Sequence, residues 1–170
     1  MSADEELSAV VDTARKTEMD GRKFYARTAE KTQNPLAKKM FESLVVAEGH
    51  HLKLIDDLAR GEFEAPDYNY DFSRSLTTVF SEVGGDVKPL AGSTPDDIEA
   101  LDIAIDLEDK AMAFYRQYAE TGVGDQVRAF CKRMYAEEED HWRILQSTKD
   151  YLGDTGNWYM AQEGWSFDGG

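Results

Sequence analysis

Two Glu-x-x-His pairs stand 90 residues apart in this chain, and each is preceded by another glutamate 30 residues earlier. The six residues are Glu18, Glu48, His51, Glu108, Glu138 and His141. Because residues i and i+3 share one face of a helix, each pair can offer a carboxylate and an imidazole to the same ion. Two such pairs with two further glutamates are typical of a site for two metal ions inside a four-helix bundle.

The two halves of the chain align without a gap. A shift of 90 residues places the three candidate ligands of the first half on the three of the second half. It also places Phe24-Tyr25 on Phe114-Tyr115. This repeat predicts a duplicated helical hairpin. Tyr25 and Tyr115 follow the first glutamate of their own half by two turns, where a hydroxyl group can hydrogen-bond a ligand carboxylate. The alternative is an aromatic core residue whose hydroxyl group is satisfied elsewhere.

Four helices are predicted to position these residues. Apolar side chains recur at steps of three and four along four segments, which is typical of amphipathic helices. Start signals precede each segment: Ser2 with Glu5, Asn34-Pro35, Thr94-Pro95, and Gly124-Asp125. We therefore predict an all-α fold, a four-helix bundle made of two pseudo-symmetric hairpins.

The turns predict that the glutamates lie at one level. Glu18 and Glu48 are each 15 residues from Gln33, and the equivalent pair of the second half is 15 residues from Val123. Equal distance from the turn means equal height in an antiparallel pair of helices. Four buried carboxylates without partners would carry a prohibitive desolvation cost. We therefore expect cations among them.

The pseudo-twofold symmetry predicts the role of each ligand. Glu48 and Glu138 are expected to bridge the two ions, and the terminal ligands are Glu18 with His51 and Glu108 with His141. Carboxylate and imidazole ligands suit iron or manganese, and the absence of thiolates argues against structural zinc. We predict two metal ions at this site, iron or manganese by ligand preference, with zinc as a possible substitute. The neighbours His50, Glu137 and Glu139 point about 100° away and are expected to lie in solvent.

Composition limits the class of protein. The chain has 170 residues, 41% of them hydrophobic, one cysteine and a formal net charge of −15. The charge argues against nucleic acid and anionic membranes as partners. No apolar run approaches the roughly 18 residues that a bilayer span requires, so we expect a cytoplasmic protein. The single residue Cys131 excludes an internal disulfide and a cysteine-cage metal site.

Domain organisation follows from the same patterns. Residues 1–152 are expected to form the bundle, with residues 61–93 as a long crossover between the second and third helices, including a short helix around residues 76–83. A connection of this length can run along the bundle and restart at its other end. Residues 153–170 contain Trp158, Tyr159 and Trp165, and this tail is expected to pack on the bundle or on a partner subunit.

The doubled Glu-x-x-His pattern, with Phe-Tyr after the first and third glutamates, resembles the rubrerythrin branch of the ferritin-like superfamily. The resemblance covers the bundle, roughly Asp4 to Leu152. It implies a non-haem di-iron centre that reacts with hydrogen peroxide or dioxygen, and a homodimer.

Two departures from that family change the expectation. Rubrerythrins carry a rubredoxin domain with four cysteines, which is missing here, so electrons must come from a separate donor protein. Rubrerythrins also place a further glutamate one turn after the third-helix ligand, where this chain has Ala111. The loss of that ligand argues against efficient peroxidase chemistry.

Several functions fit this pattern. The leading one is an oxidoreductase that reduces peroxide or dioxygen. A ferritin-like protein that binds, oxidises and stores iron is a second, and a bundle stabilised by metal that binds a partner protein is a third. A dioxygen-dependent hydroxylase also fits the ligand set.

Overall fold

The computed structural model describes residues 2–65 and 95–153, which form four long helices. These are α1 (Ala3–Lys31), α2 (Pro35–Ala59), α3 (Pro95–Thr121) and α4 (Asp125–Gly153), and the described residues contain no strand. The predicted all-α four-helix bundle is thereby confirmed. The crossover residues 66–94, with the short helix predicted within them, and the tail residues 154–170 lie outside the described part.

The starts of α1 and α2 follow the predicted capping signals, whereas the predicted cap residue Thr94 lies outside the described residues. Ser2 and Glu5 form a reciprocal capping box at the start of α1, each side chain bonding the backbone N–H of the other. The side chain of Asn34 accepts hydrogen bonds from the first two free N–H groups of α2, behind Pro35. These caps satisfy backbone donors that a helix leaves unpaired, and they fix where the hairpin turn ends.

Two hairpins pack into the bundle, α1 against α2 and α3 against α4. Tyr25 lies seven residues after Glu18, and Tyr115 lies seven after Glu108. Yet Tyr25 contacts Glu108 and Tyr115 contacts Glu18, so residue numbers rise in opposite directions along α1 and α3. Because α1 is also antiparallel to α2, the helices α2 and α3 point the same way.

The ends of the bundle agree with this arrangement. Glu6, at the start of α1, accepts a hydrogen bond of 2.6 Å from the backbone N–H of Val123 in the turn between α3 and α4. Helix α2 therefore ends at one end of the bundle, and α3 begins at the opposite end. This is the relation that the predicted crossover between them requires.

The apolar core consists of two clusters, one towards each end. Large buried side chains near the α1–α2 turn include Tyr25, Met40, Phe41, Leu44, Leu101 and Leu145. Those towards the other end include Val10, Ile55, Leu58, Tyr115, Phe130 and Met134. Fully burying one such aliphatic or aromatic side chain stabilises the fold by about 1.5–3 kcal/mol. The two clusters enclose a polar layer, and that layer holds the candidate site.

Cys131 belongs to this core. It is fully buried on α4, and burial raises the pKa of its thiol to about 12. The thiol therefore stays protonated and packs as a small apolar group. None of the described helices has a stretch that is both long and apolar enough to cross a membrane.

Candidate metal centre

All six residues that the sequence predicts as ligands lie in the middle of the bundle. Their side chains converge from all four helices, and none of the six residues is more than 7% exposed. They are Glu18 on α1, Glu48 and His51 on α2, Glu108 on α3, and Glu138 and His141 on α4. The equal spacing from the two turns thus places all six in one buried layer.

His51 presents its Nδ1 atom to three carboxylates. Glu18 lies 3.1 Å from this atom, Glu48 lies 3.2 Å away and Glu138 lies 3.3 Å away. The three glutamates come from three different helices, so the ring nitrogen marks a point where α1, α2 and α4 meet.

His141 does the same on the other side of the layer. Its Nδ1 atom lies 3.0 Å from Glu138, 3.5 Å from Glu48 and 3.8 Å from Glu108. The two imidazole rings stack, with their centroids 5.0 Å apart.

The contacts divide the four glutamates into two classes. Glu48 and Glu138 approach both histidines, whereas Glu18 approaches His51 and the equivalent Glu108 approaches His141. This is the geometry expected of two bridging and two terminal carboxylates. The bridging and terminal roles themselves stay a prediction.

The donor atoms fit a metal ion. Glu48, His51, Glu138 and His141 each offer one ligand atom, and these four atoms all lie within 4.8 Å of one another. Both carboxylate oxygens of Glu138 and Nδ1 of His141 are buried without a hydrogen bond of normal geometry. Buried polar atoms without such a partner are costly, and a cation between them would supply it. The buried cluster can therefore hold metal.

The tyrosines bond across the two hairpins. Tyr25 donates a short hydrogen bond to Glu108, and Tyr115 donates the equivalent bond to Glu18. Burial, and then the negative charge of the glutamate that each contacts, raise the pKa of both hydroxyl groups well above the usual value. Both tyrosines therefore remain donors and orient the two predicted terminal carboxylates. Of the two readings of these residues, the structure supports the one with a hydroxyl group on a ligand carboxylate.

Burial governs protonation in this layer. Burial, followed by the negative charge of Glu138, raises the pKa of Glu18 and of Glu108 well above 4.5. Burial disfavours imidazolium, but the surrounding carboxylates outweigh it and raise the pKa of His51 and of His141 well above 6.5. These groups therefore retain protons to higher pH than they would in water.

The two central glutamates behave in the opposite way. Burial opposes ionisation of Glu48, as does the charge of Glu138, but hydrogen bonds with Glu18, His141 and His51 hold its pKa at about 2. Burial also opposes ionisation of Glu138, but the positive charge of His51 and the close approach of both imidazole Nδ1 atoms, at 3.3 Å and 3.0 Å, keep its pKa well below 4.5. Two ionised carboxylates thus lie at the centre of the layer. Cations binding there would compete with the protons around them.

Glu137 is a residue whose placement the sequence predicted wrongly. It was expected to lie in solvent, but its side chain is only 14% exposed and accepts a hydrogen bond of 3.0 Å from Nε2 of His51. Its other oxygen accepts a bond of 2.7 Å from Arg133. The prediction considered only the face of α4 and not a side chain that reaches across from α2. His50 is exposed as predicted, and Glu139 is partly exposed and pairs with Arg143.

A cavity connects this layer to the surface between α1 and α3. Its volume is about 490 Å³, and the carboxylates of Glu18, Glu48, Glu108 and Glu138 form part of its wall. Ala111 also lines it. The sequence analysis missed this cavity, although a small residue one turn after each first glutamate was a signal for it.

Comparisons with family models, with curated protein sequences and with solved structures find no match to this chain. Functional conclusions therefore rest on the geometry and chemistry of the site.

Proposed function

We propose that the chain is a non-haem di-iron oxidoreductase that reduces hydrogen peroxide or dioxygen with electrons from a separate donor protein. The observation that carries the proposal is the convergence of four glutamates and two histidines in one buried layer. Both oxygens of Glu138 lack a hydrogen bond of normal geometry there. An oxygen-rich ligand set completed by imidazole suits iron or manganese.

Two ferrous ions bound here would supply the two electrons that, with two protons, convert hydrogen peroxide into two molecules of water. The protein groups have separate tasks. Glu48 and Glu138 lie between the two histidines and are ionised, so they would offer negative charge to both ions if two were bound. Glu18 and Glu108 each offer charge to one side of the layer.

The chain also provides protons beside the site. The hydroxyl group of Tyr25 keeps its proton and donates a hydrogen bond to Glu108. The hydroxyl group of Tyr115 does the same to Glu18. The cavity between α1 and α3 is also lined by Tyr25, so a small oxidant entering through it would meet a protonated hydroxyl group.

The test is metal analysis of protein purified without oxygen, followed by stopped-flow mixing of the reduced protein with peroxide. We expect two irons per chain and oxidation of both. Glu138→Ala removes the carboxylate that approaches both histidines and is expected to abolish binding of the second iron. Glu139→Ala is the matched control, because its side chain is 40% exposed and pairs with Arg143 outside the layer.

Other outcomes would favour the alternatives. Iron oxidation without turnover of peroxide, in a shell of many subunits, would support iron storage. Tightly held zinc that neither exchanges nor reacts would support a structural metal in a partner-binding bundle. Retention of two irons by Glu138→Ala would contradict the bridging role of this residue.

A further inference from the structure

The cavity between α1 and α3 is larger than peroxide or dioxygen requires. Its volume of about 490 Å³ falls within the range of roughly 300–1,000 Å³ that pockets for organic ligands occupy. A water molecule, which is close to peroxide in size, takes up about 30 Å³ of the liquid. A channel for a small oxidant does not need this space.

Two small residues create the space. Gly21 and Ala111 occupy equivalent positions in the repeat, three residues after Glu18 and Glu108, and both line the cavity. A Cβ atom added at Gly21 would meet only the edge of the Tyr25 ring, at 4.0 Å. Together with Leu107, these residues give the cavity an apolar stretch next to the carboxylates.

The charges around the cavity favour a cation. Six carboxyl groups line it against two ammonium groups, those of Lys16 and Lys110. Both lysines are engaged by aspartates of their own helices, Lys16 by Asp20 at 2.7 Å and Lys110 by Asp106 at 2.6 Å. Asp12, on the exposed face of α1, has no hydrogen bond or ion pair with any residue of the described ranges 2–65 and 95–153.

The inner wall points to a ligand as well. Glu138 is 1% exposed and lines the cavity, and neither of its oxygens has a hydrogen bond of normal geometry. An anionic ligand would be repelled by the net charge of −15, which attracts cations towards the protein.

We propose that this cavity binds a small organic amine, with its apolar part against Gly21, Leu107 and Ala111 and its ammonium group paired with Asp12 at the mouth. The amine would lie directly beside the carboxylate layer. This ligand site goes beyond the reduction of peroxide or dioxygen and does not depend on which metal the layer holds.

The test uses ligand-observed NMR on the full-length protein as purified, in a buffer free of amines. Three probes of equal length differ only in the head group: hexylamine, 1-hexanol and hexanoate. We expect saturable binding of hexylamine, weaker binding of hexanol and no binding of hexanoate. Hexanoate binding as tightly as hexylamine would overturn the proposal.

Variants locate the ligand. Gly21→Leu fills the cavity from a helical position without positive φ and is expected to weaken hexylamine binding at least tenfold. Gly49→Leu is the matched control, a helical glycine on α2 that faces Arg22 outside the cavity. Unchanged hexylamine binding in Gly21→Leu would show that the probe binds elsewhere.

Asp12→Asn tests the charge. It should weaken hexylamine binding about two- to fivefold, as expected for one exposed ion pair, and leave hexanol binding unchanged. No change for hexylamine would refute the role of Asp12, as would an equal loss for hexanol. Metal content is measured in every variant, so loss of the metal centre and loss of the amine site are seen separately.

Discussion

Glu137 holds the outer nitrogen of His51, with the Nε2 atom 3.0 Å from its carboxylate oxygen. The bond leaves Nδ1 facing the glutamates of the buried layer, and Arg133 anchors Glu137 from outside. The equivalent position in the first half of the repeat is Ala47, which has no carboxylate, so the first half cannot hold His141 in this way. The two halves of the site are therefore unequal.

This inequality predicts unequal metal affinity. A carboxylate that orients a ligand histidine typically contributes 10–100-fold to metal affinity. Glu137→Ala is expected to weaken one of two binding steps by a factor of that order and to leave the other nearly unchanged. Calorimetric titration with manganese or zinc checks this. Glu139→Ala should keep both steps, and equal weakening of both steps in Glu137→Ala would refute a role confined to His51.

The crossed tyrosines predict matched effects on stability. Tyr25→Phe and Tyr115→Phe each remove one buried hydrogen bond between the hairpins, so each should lower the free energy of unfolding by about 1 kcal/mol. Urea denaturation of the metal-loaded protein measures the loss. Tyr135→Phe is the control, because its hydroxyl group accepts a hydrogen bond from the exposed Arg116 at the surface and should matter little. A loss confined to one of the two buried tyrosines would contradict their equivalence.

Removal of metal should destabilise the protein more at high pH than at low pH. In chelated protein Glu18 and Glu108 have raised pKa values, so the stability they contribute is present below pH 4.5 and is lost as the pH rises through those values. The raised pKa values of His51 and His141 add stability below pH 6.5 that is lost in the same direction.

The two central glutamates, Glu48 and Glu138, affect stability at acidic pH. Glu48, with a pKa of about 2, contributes stability above pH 4.5 that is lost as the pH falls towards 2. Bound cations replace the protons, so the loaded protein should not lose stability as the pH rises. Thermal unfolding with and without chelator, from pH 5.5 to pH 8.5, should show a widening gap in Tm. A gap that is constant or narrows with pH would mean that metal does not displace protons from this layer.

Ala111 offers a gain-of-function experiment. Ala111→Glu would place a carboxylate one turn after Glu108, in the cavity that Ala111 now lines. An added anionic ligand favours the more highly charged oxidised ions, so peroxide should oxidise the reduced variant faster than the native protein in stopped-flow mixing. Ala111→Gln has the same size without the charge and should remain slow. If the native protein already matches the variant, a seventh ligand is dispensable here.

The fold and the buried layer could be predicted because both depend on counting along single helices. Equal distance from Gln33 and Val123 sets the height of four glutamates, and the step of three residues sets the face of each histidine. Glu137 and the cavity could not be predicted in the same way. Glu137 is buried by a side chain from another helix, and the cavity depends on how far α1 stands from α3 beside Gly21.

The exchange of tyrosines between the hairpins has a consequence for the history of the chain. One tyrosine of each hairpin donates a hydrogen bond to a glutamate of the other hairpin. A single ancestral hairpin could therefore have made both bonds by forming a symmetric dimer with a copy of itself. Joining two copies in one gene would then have allowed the halves to diverge. Glutamate at 137 opposite alanine at 47 is a difference that a pair of identical chains could not have carried.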